Sequence, residues 1–221
     1  MKKYLLGIAL WLATVGAWAN EGNLPKIDLP ASPEALQRGA ETVVSVCLSC
    51  HNLKYIKFSD LSSLGFSKEK LAALSIGHSM DESLMSPMTA GASKQAFGII
   101  PPDLSMMAKA RVGGPHYVYA FVTGFYTNDK GNTDNHIFKG AKMPDVLGVI
   151  SAKGEERTAI ENKAKEVAAF LEWAGDPNAE ERRGLGRYVI AYLIVLTIML
   201  YLVKLRTWAR LKSHHHTRKH V

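Results

Sequence analysis

Apolar residues recur at helical spacing in three places along the chain. Leu36, Ala40, Val43, Val44 and Cys47 form a first stripe, Tyr117, Val118, Phe121 and Val122 a second, and Ile160, Ala164, Val167, Ala168 and Leu171 a third with Phe170 and Trp173 on its flanks. Each stripe carries boundary signals. Ser32 is placed to cap the first, with Pro33 at the first helical position and Glu34 facing the positive end of the dipole. Pro115 opens the second and Gly124 closes it, while the third, over about 155–174, stops at Gly175 and Pro177. Ser67 begins a short capped helix over 67–77, and a further short helix runs from the stiff Pro101-Pro102-Asp103-Leu104-Ser105 stretch to Arg111. Residues 78–102 and 126–145 carry no period, and no segment shows the alternation of a strand. The expected fold class is all-α, with long loops; loops of this length inside a compact domain usually have a functional reason.

Two stretches break this pattern with apolar runs that follow no single helical face. Residues 1–19 have a charged start at Lys2-Lys3, an apolar run from Tyr4 to Val15, and Ala17-Trp18-Ala19 as a small-residue cleavage site, so they read as a secretory signal peptide. Residues 188–203 are uncharged and apolar on every side. With Arg187 and Lys204 snorkelling, 184–205 reaches across a bilayer as a transmembrane anchor, and Tyr188, Tyr192, Tyr201 and Trp208 suit its interfaces.

The formal charge of +7 points toward nucleic acid until it is divided along the chain. Residues 20–183 contain 18 Lys and Arg against all 20 Asp and Glu, and the other nine basic residues lie at the two ends. That is a membrane distribution, and it argues against nucleic acid as a partner. Arg206, Arg210, Lys212, Arg218 and Lys219, following Lys204 at the end of the span, make 206–221 a basic cytoplasmic tail, in which His214-His215-His216 is an ordinary polar stretch. The domain 20–183 is then expected on the outer, periplasmic side of a bacterial inner membrane, with membrane lipid as a partner of the chain.

The chemistry lies at the end of the first stripe, in Cys47-Leu48-Ser49-Cys50-His51. A C-x-x-C-H run is a covalent c-type haem attachment site. On a helix the positions i, i+3 and i+4 share one face, so two thiols can meet the haem vinyl groups while His51 reaches the iron. Zinc and thioredoxin-like readings need a second ligand pair or a βαβ flank, and both cysteines of the chain are already in this run. One haem c is therefore expected, held through Cys47 and Cys50 with His51 as a metal ligand.

The other axial position decides between an electron carrier and an open site for ligand binding or catalysis. Met80, Met85, Met88, Met106, Met107 and Met143 offer thioethers, and His78, His116 and His136 offer imidazoles. Met106 and Met107 read as core positions of a short helix, and Met143 precedes Pro144, which stiffens its loop. Pattern alone leaves the choice open.

Five blocks in order resemble the cytochrome c1 family, the haem subunits of ubiquinol–cytochrome c oxidoreductase (the cytochrome bc1 complex). They are Arg38-Gly39 before the haem run; Pro101-Pro102-Asp103-Leu104-Ser105; Ala110-Arg111 with Gly113-Gly114, Tyr117-Val118 and Thr123-Gly124-Phe125-Tyr126; Met143-Pro144; and a single anchor after Asp176-Pro177. The resemblance implies a cytochrome c-like haem domain with Met143 as sixth ligand, Arg111 paired with a haem propionate, and Pro101 and Pro102 as walls. It implies a non-catalytic electron-transfer subunit of the respiratory chain, taking electrons from a Rieske iron–sulfur protein beside a cytochrome b subunit and passing them to a cytochrome c acceptor. Lys142 and Asp145, beside the ligand loop, fall where the family varies, and the extra disulfide of some members has no cysteines here. The alternatives are another membrane-bound cytochrome feeding a terminal oxidase, or a haem enzyme or sensor with an open iron.

Overall fold

The structure is a computed structural model and describes residues 24–217; the expected signal peptide lies outside the described residues. The chain divides into two compact units, one ending at Gly175 and one starting at Asp176.

The first unit is organised on its last helix. Helix α1 (Pro33–Ser45) is followed by a 3-10 turn (Cys47–Ser49), strand β1 (Leu53–Lys57), a 3-10 segment (Phe58–Leu64), α2 (Lys68–Leu74), β2 (Ser83–Leu84), α3 (Ala90–Phe97), α4 (Met107–Ala110), α5 (Pro115–Thr123), β3 (Phe125–Thr127), β4 (Thr133–Asn135) and α6 (Gly154–Gly175). Helices α1, α4 and α5 all pack on α6, whose Ala164, Val167, Ala168, Phe170 and Leu171 are buried. The α1–α6 crossing is close because of Gly39. A Cβ there would overlap the Glu166 carbonyl oxygen and come within 2.9 Å of Phe170 Cβ. Local signals explain the ends: the Ser32 hydroxyl accepts the Ala35 N–H, Ser67 the Lys70 N–H and Thr89 the Ala92 N–H.

The fold is mostly helical, as the periodicity implies, but the expectation of no strand is corrected by two short antiparallel pairs. In one, β1 meets β2 across an irregular register and buries Leu53 against Leu84; in the other, β3 and β4 pair Phe125 with Asn135 and Thr127 with Thr133. Strands of two to five residues are too short to write an alternation, and their partners are set by tertiary packing. The loop expected over 78–102 contains α3, and the short helix expected to run from Ser105 to Arg111 contracts to Met107–Ala110. Met106 is thereby left outside the helix and exposed, whereas Met107 packs against the core.

The second unit is α7 (Ala179–Thr217), a single helix of 39 residues, preceded by Asp176, which pairs with Arg182. Its stretch Ala179–Ala209 is, among the described residues, the one helix long and apolar enough to cross a membrane. Those 31 residues span about 46 Å, more than the roughly 30 Å of hydrocarbon they must cross.

Candidate functional site

Helix α1 stops at Ser45, one residue short of the C-x-x-C-H run, and the chain tightens into the 3-10 turn. The Cys50 and His51 N–H groups both donate to the Cys47 carbonyl, at 3.1 and 2.9 Å, so the three side chains still project to one side. They form one wall of a cleft of roughly 480 Å3, partly open to solvent, with Val46 and Ser49 beside them. A second wall comes from Phe97, Ile99, Pro101 and Pro102, where the chain leaves α3, and a third from Lys142, Met143, Pro144 and Val146.

The histidine is oriented by the second wall. His51 Nδ1 lies 2.8 Å from the Pro102 carbonyl oxygen. A carbonyl can only accept, so Nδ1 carries the proton and the Nε2 lone pair is left for a metal. Burial pushes the His51 pKa down, outweighing the opposing effects of the Pro102 bond and nearby Asp103, so the ring is neutral as a ligand must be. Burial, with a smaller contribution from Cys50, raises the Cys47 thiol to about 11. Cys47 and Cys50 are not joined in a disulfide.

The Pro102 carbonyl is itself held in place. The Asp103 carboxylate accepts the Lys54 N–H at 3.1 Å through Oδ2 and the Ser105 N–H at 2.9 Å through Oδ1. Ser105, fully buried, accepts the Tyr55 N–H at 3.1 Å, and Leu104 N–H donates to the Asn52 carbonyl at 2.7 Å. The Pro101–Ser105 block is therefore laced to residues 52–55, directly after His51. Sequence reasoning missed this role of Asp103 and Ser105; an acidic residue two before a serine, closing an Asx-turn, is the signal that could have found it. Phe97, Ile99 and Val146 were also missed, and no local pattern marks them, because they meet only in the folded chain.

Of the expected site residues, the structure brings Cys47, Cys50, His51, Pro101, Pro102 and Met143 together on this cleft. It does not bring Arg111 into the lining: the guanidinium lies over the Tyr117 ring, 5.6 Å from its centroid. Among the described residues, Lys142 is the one cation of the lining. The other candidate axial ligands lie elsewhere. Met80, Met85 and Met106 are exposed, His78 stacks on Phe58 and bonds Glu82, His116 accepts the Ile27 N–H, and His136 stacks on Tyr126.

The donor set fits a haem. Two thiols, a neutral imidazole with its Nε2 unengaged by the Pro102 bond and a thioether face one apolar space, and Ile99, Ile100 and Val146 present exposed apolar surface that a flat apolar cofactor could cover. A helical domain built around such a cleft, with one span-length helix beyond it, defines a membrane-anchored c-type cytochrome. More particularly, the chain belongs to the cytochrome C1 family, whose profile matches residues 18–211. Cytochrome c1 of Rhodospirillum rubrum is 29% identical over 240 residues, covering 88% of this chain and 87% of that protein. Cytochrome c1 of Allochromatium vinosum is 29% identical over 242 residues, covering 94% and 98%. Among solved structures, a chain of a hyperthermophilic respiratory complex III shares the fold at a TM-score of 0.53 and 19% identity, covering 94% of this chain and 97% of that one. Family membership implies a covalently attached c-type haem and the role of a respiratory electron-transfer subunit with a membrane helix.

Proposed function

We propose that this chain carries one haem c, attached through Cys47 and Cys50 and ligated by His51 and Met143. In this reading it passes single electrons from a Rieske iron–sulfur protein to a cytochrome c within a ubiquinol–cytochrome c reductase of a bacterial inner membrane. The observation that supports this most is the convergence of those four side chains on one apolar cleft. When bound, the haem would supply the one-electron couple; the chain's own residues set its potential and access.

The Pro102 carbonyl fixes the His51 tautomer and leaves the Nε2 lone pair for the iron. The Met143 sulfur, a soft donor, would favour the ferrous state of a bound haem and raise its potential, as a high-potential chain requires. Pro101, Pro102, Phe97 and Ile99 would cover one side of a bound haem with apolar surface. Arg111 is the candidate partner for a propionate by family resemblance, with Lys142 a second cation nearer the cleft. Helix α7 anchors the domain, with the basic tail cytoplasmic and the haem domain periplasmic.

Quinol oxidation belongs to the assembly, with cytochrome b as neighbour. The test is purification of the tagged full chain in mild detergent. A cytochrome b and an iron–sulfur protein should accompany it together with quinol-oxidising activity. A preparation containing neither, or one containing a terminal oxidase in their place, refutes the assignment.

A further inference from the structure

The segment that carries Met143 has no regular structure between the end of β4 at Asn135 and the start of α6 at Gly154. A thioether is a weak iron ligand, so the loop must hold it where the iron will be. Upstream, the buried Asn135 donates from Nδ2 to the Phe121 carbonyl at 2.7 Å, and its Oδ1 accepts the Ile137 and Phe138 N–H groups at 2.9 and 3.3 Å. Asp134 accepts the Gly140 N–H at 2.7 Å. Downstream, the Asp145 carboxylate accepts the Ile150 N–H at 2.8 Å, and Val149 is buried.

The downstream half is then gripped from outside. The Arg157 guanidinium, in the first turns of α6, donates through Nη1 to the Val149 carbonyl and through Nη2 to the Thr123 carbonyl, both at 3.1 Å. Its Nε donates to Glu161 at 2.8 Å, one turn further along α6. Thr123 is the last residue of α5 and Phe121 lies in its last turn. Both sides of the Met143 loop therefore hang from the same carbonyl-rich helix end, where a fixed cation is favourable. Only a planar fork reaches two carbonyls and a carboxylate at once; a lysine ammonium is a single point of charge.

We infer that Arg157 is a positioning residue for the sixth ligand: it clasps the exit of the Met143 loop to the end of α5 and so keeps the sulfur on the iron. This deepens the reading of Met143 as ligand and rests on it. Losing a charged two-carbonyl clasp shifts the ratio of bound to detached sulfur by roughly tenfold.

The test uses the full-length haem protein in detergent, with Arg157→Gln, Arg157→Lys and Met143→Leu variants. Arg38→Gln serves as a control that removes another α6 ion pair, Arg38–Glu166, far along the chain from the loop. The readouts are the methionine–ferric charge-transfer band, the midpoint potential and carbon monoxide binding by the reduced protein. Arg157→Gln should weaken the band, lower the potential and admit carbon monoxide; Arg157→Lys should fall between it and the parent. Arg38→Gln should lower thermal stability with the band unchanged. If both Arg157 variants keep the parent band and potential while Met143→Leu abolishes the band, the clasp has no positioning role. If Met143→Leu also keeps the band, the ligand reading itself fails and takes the clasp with it. Should the Arg157 variants not retain haem, hydrogen exchange of the unmutated protein decides. The Ile150 and Ala152 amides should be as protected as the early turns of α6, and exchange faster by about a hundredfold overturns the inference.

Discussion

Replacing Asp103 by Ala removes one carboxylate and two hydrogen bonds, to the Lys54 and Ser105 N–H groups at 3.1 and 2.9 Å. A bond from a backbone N–H to a charged acceptor contributes about 1.5–3 kcal/mol when dry, but Asp103 is only half-buried, so water can partly replace it. The Ser105 N–H lies in a buried residue and gains least from water; the Lys54 N–H is near the surface and gains most. The expected loss is therefore about 2 kcal/mol in total, which for a unit of this size lowers the melting temperature by roughly 4–8 °C. Asp103→Asn keeps one acceptor oxygen and should lose about half as much. The assay is thermal unfolding of the detergent-solubilised full chain with haem attached, followed by far-UV circular dichroism. A second readout follows from position. Freeing the block loosens the Pro102 carbonyl that orients His51, so the midpoint potential should broaden or fall along with stability. A change under 0.5 kcal/mol in Asp103→Ala, or an Asn variant as unstable as the Ala variant, refutes the view that this block is laced by side-chain acceptors.

Two further outcomes follow from the packing and charge. Gly39→Ala places a methyl against the Glu166 carbonyl, so α1 and α6 must separate; a loss of about 1–3 kcal/mol in thermal or urea unfolding is expected, and an unchanged midpoint would contradict the crossing. Asp134 is held below its usual carboxylate range by the Gly140 and Asn135 N–H groups. Its folded pKa lies below its unfolded one, so the stability it contributes is present above the ordinary value of 3.8 and is lost as pH falls through the depressed one. Asp134→Asn should flatten the acid limb of a stability–pH curve, and an identical limb would show that the carboxylate is not engaged.

The parts of this fold legible in the sequence are those with local causes. Ser32 and Pro33 open α1, Pro115 and Gly124 bound α5, and the stripe from Ile160 to Leu171 marks α6 nearly to its ends. The cysteine–histidine turn is legible because its chemistry needs residue types at fixed spacing. Helix α3 was not, although Thr89 and Gly98 cap it, because Ala-Gly-Ala-Ser-Lys-Gln-Ala-Phe has too few apolar positions to make a stripe. The strands were hidden by their shortness. The walls at Phe97, Ile99 and Val146, and the Arg157 clasp, depend on segments tens of residues apart meeting in space. Met143 sits between these cases: pattern left it among six methionines, resemblance singled it out, and the fold places it on the cleft opposite none of its rivals.

The central claim is a six-coordinate haem with His51 and Met143 on its iron, and replacing Met143 by Leu addresses it most directly. Leucine keeps the volume and apolar character and removes only the sulfur. With haem still attached, the midpoint potential should fall steeply, the methionine–ferric charge-transfer band should vanish, and the reduced protein should bind carbon monoxide. A variant with the parent's potential and band, and no affinity for carbon monoxide, would contradict the claim and assign the sixth position to another residue.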